Sequence, residues 1–67
     1  MKTPHPDVLV ANEGAIFLFS PLNSAAREWI LERVEADAQW FCSALVVEHR
    51  YALGLAQGLI DAGFVIA

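Results

Sequence analysis

The sequence predicts one small α+β domain in which two helices pack on one face of a small mixed sheet. Three observations lead to this fold class: two β-prone runs flank a short turn, an amphipathic helical stretch follows them, and a third apolar run precedes an uncharged helical stretch. The order of elements is therefore a β-hairpin, a helix, a strand and a helix. With 67 residues the chain has room for one domain, predicted at residues 7–67, after an irregular arm at residues 1–6.

The predicted hairpin joins residues 8–11 to residues 15–19. Gly14 tolerates the positive φ that a short hairpin loop requires, and the short polar side chain of Asn12 suits a turn. Neither run alternates apolar with polar residues, as a strand with one solvated face would. Both faces of the hairpin therefore need cover, by helices on one side and by a partner on the other, unless part of this apolar set is simply exposed.

The first helix is expected to start after a cap at Asn23 or Ser24 and to continue to about Glu35. Its apolar stripe comprises Ala26, Trp29, Ile30 and Val34. A strand follows at residues 44–47, after Trp40, Phe41, Cys42 and Ser43. Because a strand, a helix and a strand form a crossover unit, we expect the second and third strands to be parallel.

The second predicted helix spans about residues 50–61 and ends before Gly63. It carries Gly54 and Gly58 four residues apart, and each glycine inside a helix costs about 1 kcal/mol relative to alanine. We therefore predict close packing on this face, either on a second chain or inside the domain. Together with Ile16 and Leu18 of the hairpin, these glycines form the predicted interface. Residues 64–66 are a candidate for a short last strand.

Composition limits the classes of function. A core this small rarely supplies more than about 3–5 kcal/mol without reinforcement. Cys42 is the only cysteine, which excludes an internal disulfide, and the few soft ligands predict no metal and no cofactor. Oligomerisation is the remaining reinforcement, so we expect a homo-oligomer or a protein partner.

The net charge of −4 provides no basic stripe for direct binding of nucleic acid. No apolar stretch approaches the ~20 residues needed to span a bilayer, and the first residues contain no signal-peptide core. The expected location is the cytoplasm, with no membrane partner.

Polar residues at two strand ends form the second candidate site. Glu48, His49 and Arg50 follow the third strand, and Asn23 and Ser24 follow the second. If these strands are parallel, the five residues converge on one rim near helix N-termini, where a small ligand or an anion would bind. The local alternative is that Glu48 pairs with Arg50 or caps the helix, and that His49 is solvated.

Catalysis has little support in the sequence. Cys42, His49 and Glu48 could be drawn as a nucleophile, a base and an orienting carboxylate, but their spacing matches no catalytic signature. A cysteine beside Trp40 and Phe41 is more often a small buried hydrophobic residue, and we predict no enzyme activity and no catalytic residue. The aromatic residues Trp29, Trp40, Phe17 and Phe19 are expected in the core.

Four segments carry a resemblance to a known family: residues 12–18, 26–30, 37–41 and 44–51, which read NEGAIFL, AREWI, DAQWF and ALVVEHRY. They resemble a family of short hypothetical bacterial proteins, some of them on mobile elements, with no assigned activity, cofactor or site. The resemblance implies small residues such as glycine at the positions of Cys42 and Ser43, which weakens a catalytic role for the thiol.

The main hypothesis is therefore a protein-binding or self-associating module, in keeping with a bacterial accessory protein. The alternative is a small-ligand or anion-binding domain that uses the rim at Glu48, His49 and Arg50. An inhibitor from a phage or mobile element, acting on a host protein, is a further hypothesis that follows from the resemblance.

Overall fold

A computed structural model describes residues 5–35 and 37–67 of the chain. It contains an open sheet in the order β1-β2-β4-β3 and two helices, which makes the protein a small α+β domain, as predicted. Of the predicted arm, all but His5 and Pro6 lies outside the described residues. The elements are β1 (Val8–Asn12), β2 (Ile16–Pro21), α1 (Ser24–Leu31), β3 (Trp40–Phe41), β4 (Ala44–Glu48) and α2 (His49–Asp61).

The hairpin of β1 and β2 has the predicted turn chemistry. Gly14 has a φ of 91°, and its N–H donates to Oδ1 of Asn12 at 2.9 Å. The Glu13 N–H donates to the Ile16 carbonyl at 2.9 Å. The short side chain of Asn12 and the conformational freedom of Gly14 thus close the loop, and β1 and β2 pair antiparallel from Val8 opposite Pro21 to Asn12 opposite Phe17.

Helix α1 begins at the predicted cap but ends early. Asn23 is the N-cap, and its Oδ1 accepts from the Ala26 N–H at 2.9 Å, while Ser24 is the first helical residue. The helix ends at Leu31 rather than near Glu35. At that point the Arg33 N–H turns to the Ile30 carbonyl at 3.0 Å, which is the tighter three-residue spacing typical of a final turn.

The predicted parallel pairing of the second and third strands is wrong. β2 pairs antiparallel with β4, with Phe17 opposite Val47 and Phe19 opposite Leu45. The cause is a strand that the prediction omitted: Trp40 and Phe41 form β3, which pairs antiparallel with β4. Because α1 returns the chain and this second hairpin then reverses it again, β4 runs opposite to β2.

The β3–β4 turn consists of Cys42 and Ser43. Cys42 has a φ of 57°, in the left-handed region that glycine adopts without cost. Positive φ at the first of two turn residues is typical of a type II′ hairpin turn. Cys42 is exposed, so the prediction of a buried cysteine is wrong.

Helix α2 agrees with its predicted span and stop. Gly63 has a φ of 95°, the Phe64 N–H donates to the Leu59 carbonyl at 3.0 Å, and the Gly63 N–H donates to the Ile60 carbonyl at 2.9 Å. This pair of bonds is a Schellman motif. The chain then reaches β1, where Ile66 forms an isolated parallel bridge with Val8. The four strands themselves all pair antiparallel, so the predicted mixed sheet is reduced to this parallel bridge, which lies at the position of the candidate last strand.

Both helices pack on one face of the sheet, as predicted. The largest fully buried side chains are Phe19, Ile30, Leu59 and Val8. Leu45 and Val47 of β4, with Ala26 of α1 and Ala52 of α2, belong to the same core. The expected aromatic residues Phe17, Trp29 and Trp40 pack against it, which confirms their structural role.

Candidate functional site

One face of the sheet carries apolar side chains that no described helix covers. Alternate residues of a strand point to opposite faces, so the neighbours of the core residues in each strand lie on the far side. We call the apolar part of this surface the open sheet face, and its residues are Leu9, Ala11, Ile16, Leu18, Phe41 and Val46. The register places Ser20, Ala44 and Glu48 on the same side of the sheet. Leu9 is 44% exposed and Phe41 is 63% exposed, so the two large side chains at its sides lie mostly in solvent.

A groove crosses the open sheet face beside Phe41. Its volume is about 390 Å³, and its walls are Ile16, Leu18, Phe41 and Val46, with the polar residues Glu13 and Gln39 at the margin. Leu18 lies opposite Val46 in the register of β2 and β4, so the floor is continuous across two strands. The predicted interface residues Ile16 and Leu18 therefore line the same groove.

The five residues of the predicted polar rim do not converge. Ile16 at the start of β2 pairs with Glu48 at the end of β4, so Glu48, His49 and Arg50 lie beside the start of β2. Asn23 and Ser24 follow its other end. A strand of six residues spans about 20 Å, which separates the two groups. The convergence required parallel strands, and antiparallel pairing places the two groups at opposite ends of the sheet.

At the Glu48 end the polar contacts are local and exposed. Nη2 of Arg50 lies 3.7 Å from Oε2 of Glu48, with side chains 71% and 64% exposed. The Arg50 guanidinium also lies 4.9 Å from the centre of the Tyr51 ring. Glu48 is the N-cap of α2 without a side-chain cap bond, and its negative charge lies where an anion would have to bind. The contacts match the local alternative for Glu48 and Arg50.

His49 belongs to a different surface. Its backbone N–H donates to the Ala15 carbonyl at 3.2 Å, and its ring centre lies 5.6 Å from that of Phe17. Phe17 packs on the helix side of the sheet. The imidazole is therefore directed to the space between α2 and the hairpin.

At the other end of the sheet, Asp7 and Asn23 form a hydrogen-bonded unit with Val65, which we call the clamp. Nδ2 of Asn23 donates to Oδ1 of Asp7 at 2.7 Å, and the Val65 N–H donates to Oδ2 of Asp7 at 2.8 Å. The Asp7 N–H in turn donates to the Val65 carbonyl at 2.7 Å. The clamp thus joins the start of β1, the N-terminus of α1 and the chain after α2.

The two clamp donors also explain the titration of Asp7. The hydrogen bond from the Val65 N–H, followed by that from Asn23, holds the pKa of the Asp7 carboxyl below its ordinary value. Sequence reasoning missed Asp7, because its partners Asn23 and Val65 lie 16 and 58 residues away in the chain. Asn23 is used by the clamp and by the helix cap, and is a structural residue.

The two glycines of α2 have different surroundings. A Cβ added at Gly58 would lie 3.1 Å from Cη2 of Trp29, so this glycine allows α1 to approach within the domain. Gly58 therefore serves packing inside the domain, which was the alternative that the sequence left open. A Cβ at Gly54 would meet no atom of the described residues within 4 Å.

Chemistry-bearing residues are not grouped in the part of the chain that the structure describes. Cys42 precedes β4 and His49 follows it, so they lie at opposite ends of that strand. Residues 5–35 and 37–67 contain no group of three or more His, Cys, Asp or Glu side chains arranged to hold a metal ion. Among these same residues, no helix has the length and apolar character needed to cross a membrane.

Comparison of the chain with protein-family models, with curated proteins and with solved structures found no match. The open sheet face and its groove are therefore judged on their own geometry.

Proposed function

We propose that the protein is a self-associating module that buries its open sheet face against a second copy of itself. The observation that carries the proposal is the position of both helices on one face of the sheet, while the other face exposes Leu9 and Phe41 beside an apolar groove. Burying apolar surface contributes about 25 cal/mol per Å². A domain with so small a core would gain much of its stability from this contact.

A second copy suits this face better than a charged partner does. The six residues of the open sheet face carry no charge, and Glu13 and Glu48 beside them are acidic. None of these described residues supplies a cation with which to attract nucleic acid or an acidic protein. A second copy presents an equally apolar sheet, and two sheets pack face to face about 10 Å apart with strands within about 30°.

Phe41 supplies the shape for a symmetric contact. In a two-fold dimer the same patch must serve both copies, so a projecting side chain and the hollow that receives it must lie on one surface. Phe41 projects beside the groove formed with Ile16, Leu18 and Val46. In the proposed dimer, Phe41 of each copy inserts into the groove of the other.

Sedimentation velocity across a micromolar concentration series tests the proposal. We expect the wild-type protein to be a dimer and Phe41→Glu to be a monomer, because the substitution places a charge in an apolar interface. Leu53→Glu is the matched control, since Leu53 is 79% exposed and lies on α2 on the far side of the sheet. A wild-type protein that stays monomeric at the highest concentrations would overturn the proposal.

Gly54→Leu separates the open sheet face from the alternative interface on α2. The described residues leave open space around Gly54, so the variant is expected to fold and to sediment as a dimer, like the wild type. A monomeric Gly54→Leu with a dimeric Phe41→Glu would move the interface to α2. The proposal retains the cytoplasmic location expected from the sequence.

A further inference from the structure

A second groove lies on the helix side of the sheet, between α2 and the hairpin. Its volume is about 360 Å³, and its lining comprises Val10, Phe17, Phe19, His49, Ala52, Leu53 and Ala56. Small-molecule sites in proteins typically have about 300–1,000 Å³ and mostly apolar walls with a few polar groups. We call this space the helix groove.

The helix groove exists because α2 presents small side chains there. Ala52 and Ala56 are one turn apart and face the aromatic side chains of Phe17 and Phe19. Farther along α2, Leu59 is fully buried and fills the corresponding space. The groove is therefore open because α2 has alanine at positions 52 and 56, whereas it has a leucine at position 59.

Among the described residues that line the helix groove, His49 has the one polar side chain. Its ring lies against Phe17, with the ring planes tilted by 42°. The imidazole offers an N–H donor in either of its neutral forms and two donors when charged. None of the described residues that line this groove is acidic. The neighbouring Glu48 instead borders a separate cleft of about 620 Å³ with Tyr51 and Leu55 of α2.

We propose that the helix groove binds a small amphipathic acid. Its hydrocarbon part would lie along Phe17, Leu53 and Ala56, and its carboxylate would accept a hydrogen bond from the His49 imidazole. An apolar body suits the walls, and a hydrogen-bond-accepting head suits the imidazole N–H. A carboxylate also complements the charge of a protonated imidazole.

The probes are octanoate and, as an uncharged comparison, octan-1-ol, with binding followed by chemical-shift titration of the full chain. We expect octanoate to bind at submillimolar to millimolar concentration. His49→Ala should weaken octanoate about tenfold and octanol by a smaller factor, because a hydrogen bond to a carboxylate is stronger than one to a neutral hydroxyl. Ala56→Leu should weaken both probes by filling the groove.

Two further variants keep the result independent of folding and of the dimer. Leu53→Ala changes a largely exposed wall residue, so it should weaken both probes about threefold without affecting the core. Phe41→Glu lies on the other sheet face and should bind octanoate as the wild type does. No octanoate binding by the wild type at millimolar concentration, or unchanged binding by both Ala56→Leu and Leu53→Ala, would overturn the inference and leave the proposed self-association untouched.

Discussion

The two ends of the sheet differ in how they use polar side chains. At one end the clamp joins Asp7, Asn23 and Val65 through hydrogen bonds of 2.7–2.8 Å that connect distant parts of the chain. At the other end Glu48 and Arg50 form a 3.7 Å ion pair between neighbours in sequence, and both are largely exposed. A dense run of charged residues in the sequence thus marks the end with weak local contacts, whereas two isolated polar residues hold the termini of the elements together.

The largest loss of stability in this comparison is expected for Asp7→Ala. The substitution removes the acceptor for both Asn23 and the Val65 N–H, so β1, α1 and the chain after α2 lose their common contact. Chemical unfolding should show a greater loss than for any other variant named below. An effect as small as that of Arg50→Ala would mean that the clamp does not stabilise the fold.

The same carboxylate predicts a pH dependence. The pKa of Asp7 is lowered from 3.8 in the folded protein, so its contribution is present above the unfolded value and is lost as the pH falls through the lower folded value. The stability of the wild type, measured by thermal unfolding at decreasing pH, should fall in this acidic window. Asp7→Asn should remove its share of that dependence, and equal slopes for the two proteins would contradict the assignment.

Asn23→Ala should cost about 1–2 kcal/mol, because it removes the N-cap of α1 as well as one donor to Asp7. For a domain of this size the melting temperature changes by about 4–8 °C per kcal/mol. Ser24→Ala is the control, since Ser24 is exposed and is not the cap. Equal losses of stability in the two variants would show that Asn23 is not the N-cap that stabilises α1.

Cys42→Gly should raise stability by about 0.5–1 kcal/mol. The turn lies at the clamp end of β4, and its φ of 57° is unfavourable for a residue with a Cβ. The greater freedom of glycine in the unfolded chain offsets part of this gain. Ser43→Gly lacks the positive φ and should not stabilise; a stabilised Ser43→Gly in the same denaturant series would argue against strain at Cys42.

The smallest effect is expected at the other end of the sheet. Arg50→Ala should change the free energy of unfolding by less than about 0.5 kcal/mol, because exposed ion pairs contribute little. A loss comparable to that of Asn23→Ala would show that Glu48 and Arg50 stabilise α2 and would remove the contrast between the two ends.

Local signals in the sequence predicted most elements of the fold. Asn12 and Gly14 identified the first hairpin, the pair Asn23 and Ser24 identified the start of α1, and Gly63 identified the end of α2, because each position has a backbone requirement that few residues meet. The second hairpin was missed because its strand has two residues and its positive φ falls on Cys42 instead of glycine. That omission reversed the predicted direction of β4 and led to the wrong prediction that the five polar residues converge.

For the candidate sites, the sequence marked Ile16, Leu18 and His49, and it missed Phe41 and Asp7. Apolar residues at consecutive strand positions indicated that both sheet faces need cover. In the structure, the face without a described helix is the open sheet face with its groove. Phe41 was assigned no role from the sequence, because its exposure depends on the register of β3 against β4. The contact of Gly58 with Trp29 of α1 could not be predicted either, because the distance between two helices has no local signature in the sequence.

The sequence by itself determined the fold class, the first hairpin turn, the start of α1 to within one residue, the end of α2 and the composition of the stripe that packs α1 on the sheet. These depend on backbone conformation and on side-chain periodicity, which act over a few residues. Only the tertiary structure decided strand direction, the separation of the two polar ends, the clamp at Asp7 and the two grooves. Each of these depends on contacts between residues far apart in the chain, and a single short hairpin at Cys42 was enough to change them.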